Sequence, residues 1–549
     1  MTTMNKYDNI PVEKFQFAKR VDIHHDSKFA TKPVSYFQGA FKRFCKNKGA
    51  AVAAVVILIL VLFAIIAPFC TPYTPAYVDP LYGSARPKNN LFVNTNFWDG
   101  CRVKETGYAG VMRDYALGLE IGKEVIKNNT WETSADGTVF TYRYDTYYGV
   151  GFGSYRLITK AEFEDIQRYQ NETGRQVIYP TIEIKWRDGN NIKRDEVDTV
   201  APQDKDNADI YYKTKVEKGK TVMVLDENGN IVPNYWKLEA GKKAGLAAEY
   251  NSLRIEGEYG VDQNGNIIQS AEDITEDTTQ YYYVYGRKVS GGMIEVRAEY
   301  YEYYTYLHSQ VKKDGISEPY FLFGTTAEGK DIFACLSNGA RFSFIFAIVV
   351  AVVNLIVGAI WGSISGYFGG RIDLTMERFV EILGSVPSMI VITLLKYHMG
   401  SSSHVLVLFI SFFITGWIGM AGTTRMQFYR FKNQEYVLAA RTLGASDIRI
   451  MFKHIFPNGL GTIVTSCALV IPSMIYTETN LSYLGIVNLE YGNITSVGTL
   501  ISAGQQNLMY APYIAFFPCV FLVLLMLSFN LFGNGLRDAL NPSLRGSED

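Results

Sequence analysis

The chain has 549 residues, 53 Lys and Arg against 54 Asp and Glu, and 48% hydrophobic residues. Its length leaves room for several domains, while a net charge of −1 provides no basic excess for nucleic acid. The six cysteines lack framework spacing, so a disulfide-built scaffold is excluded.

Residues 1–48 hold ten basic against four acidic side chains and lead into GAAVAAVVILILVLFAIIA at 49–67. As a helix rising ~1.5 Å per residue, that run is about 28 Å long, the depth of a bilayer core. The 48-residue leader is too long for a cleaved signal, no small-x-small site follows, and Phe69 is too bulky to precede a lipoprotein cysteine at Cys70. The reading is a cytoplasmic segment 1–48 and an uncleaved first span at 49–69.

Further apolar runs predict spans at about 342–366, 379–397, 403–424, 459–480 and 510–532. Each must be helical, because lipid leaves backbone groups no other partner. Counting six crossings from a cytoplasmic N-terminus places Arg371 and Arg378, the segment 425–458, and the tail 537–549 with Arg537 and Arg545 inside. The outer segments 397–404 and 481–509 contain no Lys or Arg. One span is irregular: only 14 uncharged residues separate Glu381 from Lys396, about 21 Å of helix. Glu381 is read at the inner boundary, with a pathway role as the alternative, and Lys396 snorkels outward. Asn354, Thr415 and Ser473 are uncharged polar residues within spans, candidates for lining a pathway or for hydrogen bonding between helices.

Residues 73–330 fall outside by topology and hold most of the 38 tyrosines. They read as a β-rich (α+β) extracytoplasmic domain inserted between the first two spans. Asp136-Gly137, Asn228-Gly229 and Asn264-Gly265 predict tight hairpins, and Lys160–Gln170 a helix capped by Thr159 with Glu162 in its first turn. The repeated Asp-x-Asn-Gly-Asn at 226–230 and 262–266 lacks the glycine of a calcium loop, since Ile231 and Ile267 stand there, and reads as turns. The clusters YYYVYG at 281–286 and YYEYYTY at 300–306 read as the two faces of a sheet, with stacking on sugars or peptides as the alternative. A disulfide among Cys70, Cys101 and Cys335 is open. His398 and His404 share one outer loop but lack carboxylate or thiolate support for a metal. No nucleotide-binding loop and no Ser/His/Asp or Cys/His arrangement is present.

The segment 425–458 carries EYVLAARTLG at 435–444 and six Lys or Arg between Arg425 and Lys453. Small residues at Ala439, Ala440 and Gly444 allow another protein close to a short helix, Gly444 supplies the turn out of it, and Pro457 is expected to break the backbone before the next span. This segment resembles the EAA loop of ABC importer permeases. The chain beyond it does so too: Pro72-Tyr73-Thr-Pro75, FGTTAEGKD at 323–331, NGARFS at 338–343, SGYFGG at 365–370, ETNLSYLG at 478–485 and FNLFGNGLRD at 529–538 with Asn541-Pro542. In order and type they are similar to the C-type permease subunit of oligopeptide, dipeptide and nickel ABC importers. Two positions depart from that pattern: Leu438 stands where the family has the glutamate of its triplet, with Glu435 one turn earlier on the same face, and Thr326 replaces an aspartate.

The resemblance implies an all-α type I permease core at 331–536 in a bacterial inner (cytoplasmic) membrane, with both termini cytoplasmic. It implies a sister permease, two ATPases and an extracytoplasmic peptide-binding protein as partners. ATP and Mg2+ would be bound by the ATPases, with no cofactor on this chain and no catalysis by it. The coupling residues carried over are Glu435, Leu438, Ala439, Ala440, Gly444, Ala445, Ile455 and Pro457. Peptides are the expected cargo, with nickel or another small solute as the alternative within transport. A receptor or adhesin whose ectodomain is the working part is the alternative outside it.

Overall fold

The computed structural model describes residues 36–540 except 93–94, 152–153, 180, 189–190, 199–213, 218–219, 224–253, 256–257, 262–279, 285, 400–403, 488 and 490–494. Among the described residues five helices are long and apolar enough to cross a membrane, and a bent pair supplies a sixth crossing if counted as one span.

Helix α1 (Tyr36–Lys46) ends at Asn47, whose side chain accepts the Ala50 N–H at 3.2 Å and so caps α2 (Lys48–Ile66). Arg43 donates from Nε and Nη2 to the Ala539 carbonyl at 3.1 and 2.9 Å. That carbonyl belongs to the last turn of the final helix, where orphan acceptors and the helix dipole favour a cation.

In the insertion, β1 (Cys101–Thr106), β2 (Ile126–Thr133) and β3 (Phe140–Asp145) form an antiparallel sheet in the order β1-β3-β2. Helix α3 (Tyr108–Ile121) shares its core through Val111, Leu117, Trp131 and Phe140. The hairpin predicted at Asp136-Gly137 joins β2 to β3, with Gly137 at φ 73°. Strand β4 (Ser154–Ile158) precedes α4 (Lys160–Thr173), whose cap is Thr159 accepting from the Glu162 N–H, as expected. The remaining strands are β5 (Ile178–Tyr179), β6 (Thr181–Asp188), β7 (Asn191–Asp198), β8 (Thr214–Glu217), β9 (Lys220–Met223), β10 (Arg254–Ile255), β11 (Glu258–Val261), β12 (Gln280–Val284), β13 (Gly286–Lys288) and β14 (Ile294–Ala298). They pair as β10-β11-β13-β14-β4 with β5 on β14, as β12-β6-β7, and as β8-β9. The insertion is thus a set of small sheets interleaved with helices rather than one large sheet. The Asn228-Gly229 and Asn264-Gly265 turns and both Asp-x-Asn-Gly-Asn repeats lie outside the described residues.

Residues 300–306 depart from the sheet reading. They form helix α5 (Tyr300–Tyr306), all of whose side chains are buried. Tyr300, Tyr303, Tyr304 and Tyr306 pack into one core and Tyr301 into the core under the β1-β3-β2 sheet. A helix wedged between two cores is buried all round, its one carboxylate, Glu302, being held by Arg175 at 3.0 Å, and a run of alternating aromatics mimics a strand. All six cysteines are free thiols.

Helix α6 (Ile332–Phe368) begins ten residues before the predicted 342 because Asp331 caps it, accepting the N–H groups of Phe333 and Ala334 at 3.1 and 3.2 Å. The predicted span 379–397 is instead α7 (Gly370–Ser385) and α8 (Ser388–Met399), bent by 70°. Pro387 has no N–H to continue the ladder and holds Val386 extended. Glu381 is exposed and pairs with Arg378 at 2.5 Å. The next span divides into α9 (His404–Thr415) and α10 (Ile418–Phe431), and α11 (Glu435–Thr442) follows. Pro457 does not break the backbone: it stands in the first turn of α12 (Phe456–Tyr483), which continues from a π-helical turn at Ile450–Ile455. A first-turn proline lacks only an N–H that is orphaned anyway. Helices α13 (Val497–Gln506) and α14 (Tyr513–Leu540) complete the chain.

The tightest seam joins α6 to α10. A Cβ added at Gly358 would lie 2.7 Å from Met420 Cβ, at Gly362 2.3 Å from the Ala421 carbonyl, and at Gly366 2.7 Å from Phe428 Cβ. Three glycines one turn apart let the backbones touch, the usual way helices associate where lipid removes the hydrophobic drive. Glu478, fully buried on α12, accepts from Ser343 of α6 at 3.0 Å and from Ser482 at 3.1 Å.

Candidate functional site

The segment 425–458 emerges from α10 at the end of the bundle away from the insertion. It rests on a core of Phe428, Val437, Ile450, Met451 and Ile455 closed by Tyr367 from the last turn of α6. Two polar ties fix it. Tyr367 donates its hydroxyl to Asp447 at 2.5 Å, and Arg441 donates to the Tyr367 hydroxyl at 3.4 Å. Arg425 grips both carboxylate oxygens of Asp373 on α7 at 2.7 Å each, Tyr429 donates to the same carboxylate at 2.5 Å, and Ser365 of α6 donates to it as well. A bidentate Arg–carboxylate pair adds geometric definition to charge, so α6, α7 and α10 meet at one carboxylate. Lys432 then donates to the Gly366 carbonyl at 2.9 Å.

Helix α11 ends in a Schellman turn: Ala445 N–H reaches the Ala440 carbonyl at 3.1 Å and Gly444 N–H the Arg441 carbonyl at 3.0 Å. Gly444 has φ +81°, and a Cβ there would meet nothing within 4 Å. The predicted turn is therefore real, and the space around it is open on this chain.

Of the residues singled out from the sequence, Glu435, Leu438 and Ala439 are exposed along α11, Gly444 and Pro457 are exposed, and Ala440 and Ala445 are half-buried. Ile455 is not part of this surface. It is fully buried with Ile450 and Met451, on the inner side of the π-helical turn. Reading the sequence missed three apolar side chains presented outward beside Leu438: Leu443 is 88% exposed, Ile448 73% exposed and Phe452 about half exposed. Large apolar groups in a segment otherwise rich in Lys and Arg were the available signal. These side chains are rimmed by the exposed Arg430, Arg441, Arg449 and Lys453, so apolar and basic groups are exposed together in this segment.

The three pathway candidates do not share one surface. Asn354 is 1% exposed and packs against Gly416, where an added Cβ would come within 2.4 Å of its Nδ2. Thr415 is half-buried at the end of α9. Ser473 is exposed, its hydroxyl turned back to the Val470 carbonyl at 2.7 Å.

Residues 358–546 match the family described as "Binding-protein-dependent transport system inner membrane component", and residues 35–87 match "N-terminal TM domain of oligopeptide transport permease C". The chain is 45% identical over 223 residues to the oligopeptide transport system permease protein OppC of Bacillus subtilis, covering 41% of this chain and 72% of that protein. It is 37% identical over 225 residues to the dipeptide transport system permease protein DppC of the same organism, covering 41% of this chain and 69% of that one. To OppC of Escherichia coli it is 40% identical over 223 residues, covering 41% and 72%. A solved structure of the MetNI methionine ABC transporter is similar at 16% identity and a TM-score of 0.30, covering 38% of this chain and 96% of that chain.

Proposed function

The chain belongs to the family of oligopeptide and dipeptide permease subunits of binding-protein-dependent transport systems, and from that premise we propose that it forms, with a sister permease, the membrane pathway of an ATP-driven peptide importer. The observation that carries this reading is the exposed apolar and basic surface of residues 435–453, held on a rigid base at one end of the bundle. In this reading that end is cytoplasmic, as are both termini, and the insertion is a β-rich domain on the opposite side. ATP and Mg2+ belong to two partner ATPases whose grooves receive α11.

When those ATPases close, they carry α11 and the apolar side chains around Gly444 with them. The displacement passes to the spans through Tyr367–Asp447 and through Asp373, the points where the segment is tied to α6 and α7. Access then alternates between the two sides. Ser473, the exposed member of the three candidates, is the one offered to the pathway. Leu438 meets the ATPase through apolar contact where relatives offer a carboxylate, and Glu435 supplies the charge one turn away. An insertion tethered at both ends sits over the outer mouth, where it helps hold the peptide-binding protein.

The test is reconstitution of the chain with its sister permease, ATPases and binding protein in nanodiscs. Peptide-stimulated ATP hydrolysis that collapses when Leu443 and Ile448 are both replaced by Asp supports the reading. Stimulation unchanged by that pair of charges overturns it.

A further inference from the structure

Directly after Lys88 the chain reads NNLFVNTNFW, ten residues without a charge, ending at Asp99. Its neck is closed by backbone. Lys88 and Asp99 form an antiparallel bridge, Asn89 N–H donates to the Trp98 carbonyl at 2.9 Å, and Gly100 N–H donates to the Pro87 carbonyl at 2.9 Å. Both flanking charges turn back into the insertion: Lys88 pairs with Asp145 at 3.2 Å, and Asp99 receives Lys127 at 2.5 Å and Arg143 at 2.7 Å. The described residues on either side of 93–94 thus form an uncharged finger on a charged root. Its outer side chains are bare, Leu91 being 86% and Phe97 67% exposed.

The finger lies against the first turns of α14. Trp98 packs on Phe517 with ring centroids 5.5 Å apart, and its Nε1 donates to the Leu322 carbonyl at 2.5 Å. Between them opens a cavity of about 240 Å³ lined by Arg86, Phe97, Trp98, Tyr513 and Phe516. The Tyr513 hydroxyl has no hydrogen-bond partner among the described residues, and the Arg86 guanidinium lies 5.2 Å from its ring centre.

Depth follows from helix length. The 28 residues of α14 span about 42 Å, the thickness of a bilayer with its headgroups. Arg537 is in the last turn, so Tyr513–Phe517 lies at the opposite headgroup level, where Tyr and Trp concentrate. From there one exposed apolar stripe runs down α14 through Phe516, Val520, Val523, Leu527 and Leu531. The finger prolongs that lipid-facing stripe sideways.

We propose that the described residues 89–92 and 95–98, through Leu91 and Phe97, anchor the insertion in the outer leaflet, and that outer-leaflet phospholipid occupies the cleft beside α14. Acyl chains cover Leu91, Phe97 and Phe516, while Arg86 and the Tyr513 hydroxyl face the phosphate and ester oxygens. An amphipathic element of this kind holds its protein at the interface without spanning it. The proposal rests on reading the insertion as extracytoplasmic.

The experiment uses the assembled transporter in nanodiscs and single Leu91→Trp and Phe97→Trp variants, whose added indole fluorescence is read against the wild-type background. Leu91 is 86% exposed, so its replacement removes little packing, and peptide uptake by the same complexes reports separately on the permease reading. The expected result is loss of most of the added emission in bilayers of phosphatidylcholine brominated high on the acyl chain, with little effect from aqueous acrylamide. Quenching by acrylamide and not by brominated lipid puts the finger in water and overturns the proposal. Quenching by neither means that a partner protein covers it, and overturns the proposal equally.

Discussion

Gly444 separates two effects that most substitutions in an interface confound. Its φ of +81° lies where side chains are strained, yet a Cβ there meets nothing of this chain within 4 Å. Replacement by Ala therefore costs about 1–2 kcal/mol of left-handed strain, and Asn, which tolerates that conformation, costs less. Neither removes a contact that the isolated chain makes. If an ATPase packs against the turn, however, added bulk forces two close-packed surfaces apart, at roughly 1–3 kcal/mol by analogy with overpacked cores. That corresponds to about 5- to 150-fold weaker ATPase association. The measurement is titration of the ATPase subunits onto permease pairs in nanodiscs, with thermal unfolding of the pairs as a control. Gly444→Asn is expected to unfold close to wild type and still to bind more weakly, and Gly444→Trp more weakly again. Wild-type association and peptide-stimulated hydrolysis in the Gly444→Trp complex would refute the docking argument. Equal losses for Ala and Trp would place the effect in the turn itself.

Gly362→Leu puts a branched side chain where a Cβ alone would lie 2.3 Å from a backbone carbonyl; α6 and α10 must part, and a loss of at least about 3 kcal/mol in stability of the purified chain is expected, readable as a large fall in unfolding temperature. Arg425→Ala leaves the Asp373 carboxylate, held by two charge-assisted bonds, with only hydroxyl donors; a cost of about 1–3 kcal/mol is expected, with reduced peptide-stimulated hydrolysis, and Asp373→Asn should lower hydrolysis through the same tie. Burial lifts the Asp331 carboxyl to about 7, with the Phe333 and Ala334 N–H groups pulling the other way. Because the folded chain keeps a proton that the unfolded chain has already released, stability should fall as pH rises from about 4 to 7, and Asp331→Asn should flatten that slope in urea unfolding of the detergent-solubilised chain.

The spans were legible because lipid demands long apolar runs, but such runs report only the part of a helix that meets lipid. The first ten residues of α6 are set by a cap and by packing into the insertion, so the sequence window began at 342. The bend at Pro387 was visible only as a span too short for its charges. Orientation around a helix was harder: Ile455 and Ile448 look alike in sequence, and only the π-helical turn sends one inward and the other out. The tie between Asp373 and Arg425 joins residues 52 apart, a pairing that periodicity cannot reveal. Tyrosine runs misled at 300–306, since aromatic residues suit strands by propensity and a buried helix by context.

Helix α6 is 37 residues long without a proline, about 55 Å at the usual rise, and its two ends belong to different neighbourhoods. Thr71 donates to its cap, Asp331, beside the insertion, while its last turn lays Tyr367 into the core beneath α11. An unbroken helix has no joint at which a twist can dissipate. It is therefore one continuous strut with Thr71 at one end and Tyr367 and Asp447 at the other. The three glycines facing α10 fix it in place along the way, since any turn about its axis would drive a flanking side chain into the α10 backbone. A displacement at either end of such a strut has no flexible joint to absorb it before it reaches the other.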